Sequence, residues 1–224
     1  MTLEILHLFF DPICPACLRP VKNIGVFCTA CANAQQTLVP PYCRVCGIPI
    51  PHEGYCGSCL EAPPPFTAAF SALPYEGPVA HAIRRGKYGP VPWIFSRLGQ
   101  LLVPLLQAAG PGWVVPVPCT PSAWKTRGFS PVMQLCQSAC RELGKPWKVL
   151  DALTRCDGKT PQAFLHGKQR LHLSGSEFSL RCDVSGKRIL LIDDVMTTGT
   201  TVRTVAKKFA NAADVIVITL CRTL

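Results

Sequence analysis

The chain lacks any uninterrupted apolar stretch of membrane-spanning length. Even Leu98–Leu106 is cut by Gln100 and Pro104, well short of the ~20 apolar residues that a bilayer helix needs. The opening residues Met1-Thr2-Leu3-Glu4-Ile5-Leu6 carry no basic segment before an apolar core and no small-residue cleavage site. A secretory leader is therefore not expected, and the expected compartment is cytoplasmic, where thiols stay reduced. Acidic side chains are scarce, 13 against 23 lysines and arginines, for a formal charge of +10. No paired aromatics and no base-reading motif make nucleic-acid recognition directly legible. The histidines His81, His166 and His172 stand singly and receive no role.

Cysteine, by contrast, is plentiful. The chain has 14, and in a reducing compartment they must be explained by metal or by burial. The first sixty residues hold four Cys-x-x-Cys pairs: Cys14/Cys17, Cys28/Cys31, Cys43/Cys46 and Cys56/Cys59. The first two pairs repeat in the second two at an offset near 29, the mark of a duplicated small module. Each pair places two thiolates on one ion, and two pairs complete a tetrahedral S4 site. Two closed, structural zinc sites are expected, and the spacing leaves open which pairs share an ion. So small a module has too little core to fold without metal. Gly47 and Gly57 each follow a cysteine, where a tight knuckle turn calls for a permissive backbone. The other cysteines, Cys119, Cys136, Cys140, Cys156, Cys182 and Cys221, lack metal spacing. Cys136 and Cys140 share a helix face and read as buried.

Charge divides the chain in the same place. Residues 1–65 carry three basic and four acidic side chains, whereas residues 66–224 carry twenty and nine. Eight thiolates and two zinc ions would bring the whole chain to about +6, so the positive field belongs to the second part. Phosphorylated ligands and nucleic acid are its natural partners. Arg203, Lys207 and Lys208 form a basic helix surface there. Ala62-Pro63-Pro64-Pro65 reads as a short stiff linker between a ribbon module at 1–61 and a domain at 66–224.

Beyond the linker, strands alternate with helices. Ala68–Tyr75 reads as a strand, Val79–Lys87 as a helix, and Trp93–Ala109 as a helix broken or bent at Pro104. Trp113–Pro118 reads as a strand running into a proline-rich turn, and Pro131–Gly144 as a helix closed by Gly144. Arg181–Ser185 leads up to the pocket strand at Ile189–Ile192, and Val215–Leu220 is a last buried strand. The alternation predicts an α/β domain with a mainly parallel sheet covered by helices on both faces.

The most informative segment is Ile189-Leu190-Leu191-Ile192-Asp193-Asp194-Val195-Met196-Thr197-Thr198-Gly199-Thr200-Thr201. A buried strand runs into two adjacent carboxylates, then into a loop of threonines and one glycine, then into a helix with Val202, Val205, Ala206 and Phe209 on one face. Unpaired N–H groups at that helix start, with hydroxyls around them, suit a phosphate. The carboxylates suit vicinal diols or a divalent cation. Together they describe a pocket for ribose 5-phosphate.

This segment resembles the phosphoribosyl pyrophosphate (PRPP) signature of type I phosphoribosyltransferases. The resemblance implies PRPP contacts along Asp193, Asp194, Val195, Met196, Thr197, Thr198, Gly199, Thr200 and Thr201. The acidic pair would hold ribose hydroxyls, the Thr/Gly loop the 5-phosphate, and Mg²⁺ would accompany PRPP. Further stretches resemble the ComF competence family, a Cys-rich module joined to a phosphoribosyltransferase-like domain. These are Val114-Val115-Pro116-Val117-Pro118 followed by Lys125 and Arg127-Gly128-Phe129; Arg155 with Thr160, Gln162-Ala163 and Arg170; and Lys87-Tyr88. The resemblance implies that Lys125 and Arg127 neutralise pyrophosphate and join Asp193 and Asp194 in catalysis. It also implies that the Arg155–Arg170 stretch is a mobile loop over the sugar. After Arg-Gly-Phe this chain departs from the family with Ser130 and Pro131, and beyond Arg170 with Leu173. A ComF-like protein would handle single-stranded DNA during transformation, alongside partners such as a DNA-uptake helicase. The alternative is an active phosphoribosyltransferase with an unidentified acceptor.

Overall fold

A computed structural model of the chain describes residues 12–21, 25–89, 91–156 and 177–224. Thr160, Gln162, Ala163 and Arg170, expected over the sugar, lie outside the described residues, as do His166, His172 and Leu173. No described helix is long and apolar enough to cross a membrane.

The N-terminal module is built twice on one plan. Cys14 N–H donates to Arg19 O and Leu18 N–H to Cys14 O, both at 2.9 Å. Twenty-nine residues on, Cys43 N–H donates to Ile48 O at 2.8 Å and Gly47 N–H to Cys43 O at 2.9 Å. The bridges Ile13–Pro20 and Tyr42–Pro49 repeat at the same offset. Each half then closes on a short helix after its third cysteine, α1 (Thr29–Ala34) and α2 (Gly57–Glu61). Gly57 therefore opens a helix rather than a tight turn. Gly47 does need its freedom: its φ is +69°, and a Cβ there would lie 2.2 Å from Ala69 O. In the first half the equivalent position is Leu18, at φ +62°.

The remaining elements are β1 (Ala68–Pro74), α3 (Gly77–Tyr88), α4 (Trp93–Leu98), a 3-10 turn (Gly99–Leu102) and α5 (Val103–Ala109). β2 (Trp113–Pro116), α6 (Pro121–Arg127), α7 (Pro131–Leu143), β3 (Lys148–Val149) and β4 (Leu153–Arg155) follow. The chain ends with β5 (Phe178–Leu180), β6 (Arg188–Met196), α8 (Thr200–Ala206), a 3-10 turn (Lys207–Phe209) and β7 (Asp214–Arg222). Five strands form one sheet in the order β1-β7-β6-β2-β3, and every pairing is parallel. β4 and β5 form a separate antiparallel pair.

Alternation along β6 divides the core. Leu190 and Ile192 join Ile83, Phe95, Leu98 and Leu135 on one face, while Ile189 and Leu191 join Val202, Val205 and Phe209 on the other. A sheet buried on both faces explains why its strands read as continuous apolar runs. The two halves of the Cys-rich module divide in the same way. Cys14 and Cys28 lie in the first cluster, Cys43, Cys46 and Cys59 in the second.

The proline-rich turn after β2 contains helix α6, with the Thr120 hydroxyl accepting from Ala123 N–H and Gly128 in the left-handed region at its end. Arg155 lies on strand β4 rather than in a loop, and Arg181–Ser185 follows a short strand, Phe178–Leu180, that pairs with β4. The strand carrying the acidic pair runs on to Met196, so both aspartates sit within it. The Ser130 departure has a local use: its hydroxyl accepts from Met133 N–H at 3.3 Å and caps α7, with Pro131 at the first helical position.

Candidate active site and metal centres

The eight predicted ligands gather into two groups, Cys14/Cys17/Cys28/Cys31 and Cys43/Cys46/Cys56/Cys59. Adjacent pairs share a site, which resolves the pairing that spacing leaves open. Within each group the ligand atoms lie within 4.8 Å of one another. Cys17 Sγ and Cys28 Sγ are 3.6 Å apart, as are Cys46 Sγ and Cys56 Sγ. A tetrahedral site with Zn–S near 2.3 Å requires neighbouring sulfurs about 3.8 Å apart, so the donor set and its spacing fit zinc. Without a cation the thiols are unevenly poised. A backbone hydrogen bond from Arg19 helps bring Cys17 down to about 6, while burial pushes Cys31 up.

The second site lies where the sheet order reverses. From β2 the chain steps outward to β3 and then returns to β6 on the other side. A crevice opens at the carboxyl ends of strands at such a switch point. Here it is a cleft of about 300 Å³ lined by Asp193, Asp194 and Val195 from β6, Val117–Thr120 after β2, Arg127 from α6, Lys87 from α3, Arg155 from β4, and Thr201. Asp194 is buried and its Oδ2 lies 2.6 Å from Lys87 Nζ. Asp193 Oδ1 accepts from Asp194 N–H at 2.8 Å. Burial, reinforced by the Asp194 charge, holds the Asp193 carboxyl up to about 7.

Downstream of the pair, Met196 is buried beneath the loop, while Thr197, Thr198 and Thr200 are exposed. Thr198 Oγ1 and Thr200 Oγ1 are 2.8 Å apart. Gly199 caps α8 at φ +76°, and a Cβ there would lie 2.9 Å from Met196 Cε. The left-handed backbone strains any larger residue there, whereas the contact falls on the flexible end of the Met196 side chain.

The two basic residues of α6 part company. Arg127 lines the carboxylate cleft, whereas Lys125 lines a neighbouring cavity with Trp124. Lys87 and Arg155 also line the cleft, Arg155 having been expected over the sugar and Lys87 having been singled out without a role. Lys87 sits 107 positions from its carboxylate partner, and the resemblance of Lys87-Tyr88 to the family carried no role for it. Arg155 is held by Glu177, with Nε 2.7 Å from Oε1, and its guanidinium carbon lies 4.9 Å from the Phe178 ring centroid.

Comparison with known proteins gives two matching domain families. A double zinc ribbon domain matches residues 5–60, and a phosphoribosyl transferase domain matches residues 137–223. The DNA utilization protein YhgH of Escherichia coli (strain K12) is 33% identical over 224 residues, covering 95% of this chain and 97% of that protein. Competence protein F of Haemophilus influenzae is 26% identical over 213 residues, covering 90% and 86%. Among solved structures, the allosteric regulatory enzyme of purine biosynthesis aligns at 24% identity with a TM-score of 0.34, covering 56% of this chain and 25% of that one.

Proposed function

Because the chain belongs to the ComF competence family, a double zinc ribbon followed by a phosphoribosyltransferase domain, we propose that it serves the uptake or use of DNA in the cytoplasm and carries a pocket for PRPP. The observation that carries the pocket is the Asp193–Asp194 pair at the sheet's switch point, facing Lys87 and Arg127 across one cleft. In this reading the carboxylates take ribose hydroxyls and Mg²⁺, a hard cation that prefers oxygen ligands. The loop Thr197–Thr201 takes the 5-phosphate, and Arg127 faces the pyrophosphate. The two four-cysteine groups hold structural zinc.

Calorimetry with Mg²⁺ and PRPP tests the pocket. Asp193→Asn with Asp194→Asn keeps the shape and removes the charge, so affinity should fall at least tenfold while zinc content and folding persist. An equal affinity in that variant overturns the assignment.

The DNA role rests on the surplus of basic residues beyond residue 65 and on the names of the relatives. Binding of single strands through phosphates should weaken steeply with salt and vary little with sequence. Lys207→Glu with Lys208→Glu should reduce it if that surface makes the contact. A salt-independent affinity, or no binding at low salt, removes the DNA reading.

The second reading is an active transferase, favoured by the cavity that adjoins the cleft. An acceptor's lone pair would form the bond to ribose C1 while pyrophosphate leaves with the electrons of the C1–O bond. Pyrophosphate release from PRPP, assayed against bases, amines and oligonucleotides, separates this reading from simple PRPP binding.

A further inference from the structure

No aspartate or glutamate falls between Glu76 and Glu142, whereas seven lysines and arginines do. Two of the seven are already engaged: Lys87 pairs with Asp194, and Arg97 turns to the carbonyls of Gly25 and Val26. Arg84 and Arg127 have no carboxylate partner among the described residues. The fold gathers this surplus, because α3 and α6 both belong to the acid-free span and enclose a groove of about 420 Å³. Lys87 and Tyr88 line it from α3, and Ser122, Ala123, Thr126 and Arg127 from α6. Lys87, Ala123 and Arg127 line the carboxylate cleft as well, so groove and cleft adjoin.

Helix α3 turns Val79, Ala80, Ala82 and Ile83 into the core. His81, Arg84 and Tyr88, spaced three and four apart, share its outer side and are all exposed. Tyr88 is 78% exposed, which leaves its ring open to a flat partner. Across the groove, Ser122 and Thr126 are exposed one turn apart on α6. Cations alone would suit any polyanion. An open aromatic ring among them narrows the choice, because single-stranded nucleic acid presents phosphates and unstacked base faces together. A duplex hides those faces, and an acidic peptide lacks them.

We propose that the groove between α3 and α6 holds single-stranded DNA, with a base on the Tyr88 ring and backbone phosphates at Arg84 and Arg127. The proposal rests on the DNA reading above and gives that reading a place in the fold. The strand then runs beside the sugar-phosphate cleft, with Arg127 common to both.

Three labelled probes separate base from charge: an oligothymidine, an abasic strand of equal length, and a duplex of that length. Each is titrated into the full zinc-loaded chain by fluorescence anisotropy over a range of salt. The parent should bind the oligothymidine about fivefold or more tighter than the abasic strand, the low end of base–aromatic stacking. Tyr88→Ala should remove that advantage and leave abasic and duplex affinities at the parent value. Arg84→Gln should weaken both single strands and lower the salt slope by about 0.7, the share of one phosphate contact on a single strand. Both side chains are exposed, so zinc content and circular dichroism of each variant should match the parent. Oligothymidine affinity unchanged in either variant, an abasic strand bound as tightly as oligothymidine by the parent, or an equal loss on the duplex in Tyr88→Ala overturns the groove. Failure of the DNA reading shows separately, as a parent that binds no strand at low salt, and it removes the groove with it.

Discussion

Two neighbouring aspartates in this chain are held in different ways. Asp194 is buried against the Lys87 ammonium. Asp193 has the backbone N–H of Asp194 as its donor, and burial followed by the Asp194 charge raises it from the ordinary 3.8 to about 7. The folded chain therefore binds an extra proton between those two values. The stabilising effect of that proton is complete below pH 3.8 and is lost as pH rises through about 7. A ligand that needs both groups as carboxylates responds in the opposite direction. Affinity for Mg²⁺ with PRPP should rise about tenfold between pH 6 and pH 8, the change in ionised fraction for a group titrating near 7. Asp193→Asn should remove that rise and leave only the titration of the ligand's own phosphates. Calorimetry across pH on parent and variant measures the difference, and parallel profiles would show that Asp193 is not the titrating group. At this scale the sequence was legible where chemistry is local. The acidic pair, the threonine loop and the eight thiols are short-range patterns. Lys87 was not legible, because its meaning depends on a carboxylate that only the parallel sheet brings beside it.

Among the elements, legibility followed burial. β6 and α7 could be read because each has an apolar pattern set by what it packs on, and both were found within a few residues of their ends. α6 escaped for the opposite reason. It has no buried residue and spans only seven positions, so no periodicity marks it. Its termini did carry helix signals: Thr120 as a cap, Pro121 at the first position and Gly128 just past the end. Prolines at 116, 118 and 121 outweighed them and suggested a turn. The error has a consequence for function, since a helix sends alternate residues to different sides and a turn need not. Lys125 and Arg127 therefore line separate spaces, although the family resemblance had assigned them one task. The strand order β1-β7-β6-β2-β3 was equally beyond reach. Alternation of strand and helix gives a parallel sheet, but it does not say which strands are neighbours.

Across the whole molecule, the two zinc sites are wired into the α/β body by one arginine each. Arg97 from α4 donates to the carbonyls of Gly25 and Val26 in the first half of the ribbon. Arg222 from β7 is buried and its guanidinium donates to Cys46 O at 2.6 Å in the second half. Burial lowers the pKa of both arginines, and nearby thiols push back, Cys14 on Arg97 and chiefly Cys46 on Arg222. Four thiolates around one zinc ion leave a net charge of −2, and a fixed guanidinium beside each group offsets part of it. Removing one partner of such a buried arrangement is costly because the other charge is left without compensation. Arg222→Met should therefore loosen zinc in the second group and spare the first, and Arg97→Met should do the reverse. Elemental analysis after mild chelation should give about one zinc in each variant and about two in the parent. Thiol alkylation mapped by mass spectrometry then identifies the vacated group: Cys43, Cys46, Cys56 and Cys59 for Arg222→Met, and Cys14, Cys17, Cys28 and Cys31 for Arg97→Met. Two zinc ions retained at the parent's release rate in both variants would show that the arginines only fasten the ribbon. Loss of the second ion should reach further than the ribbon, because Cys43, Cys46 and Cys59 share their apolar cluster with Met196 and Val202 on either side of the threonine loop.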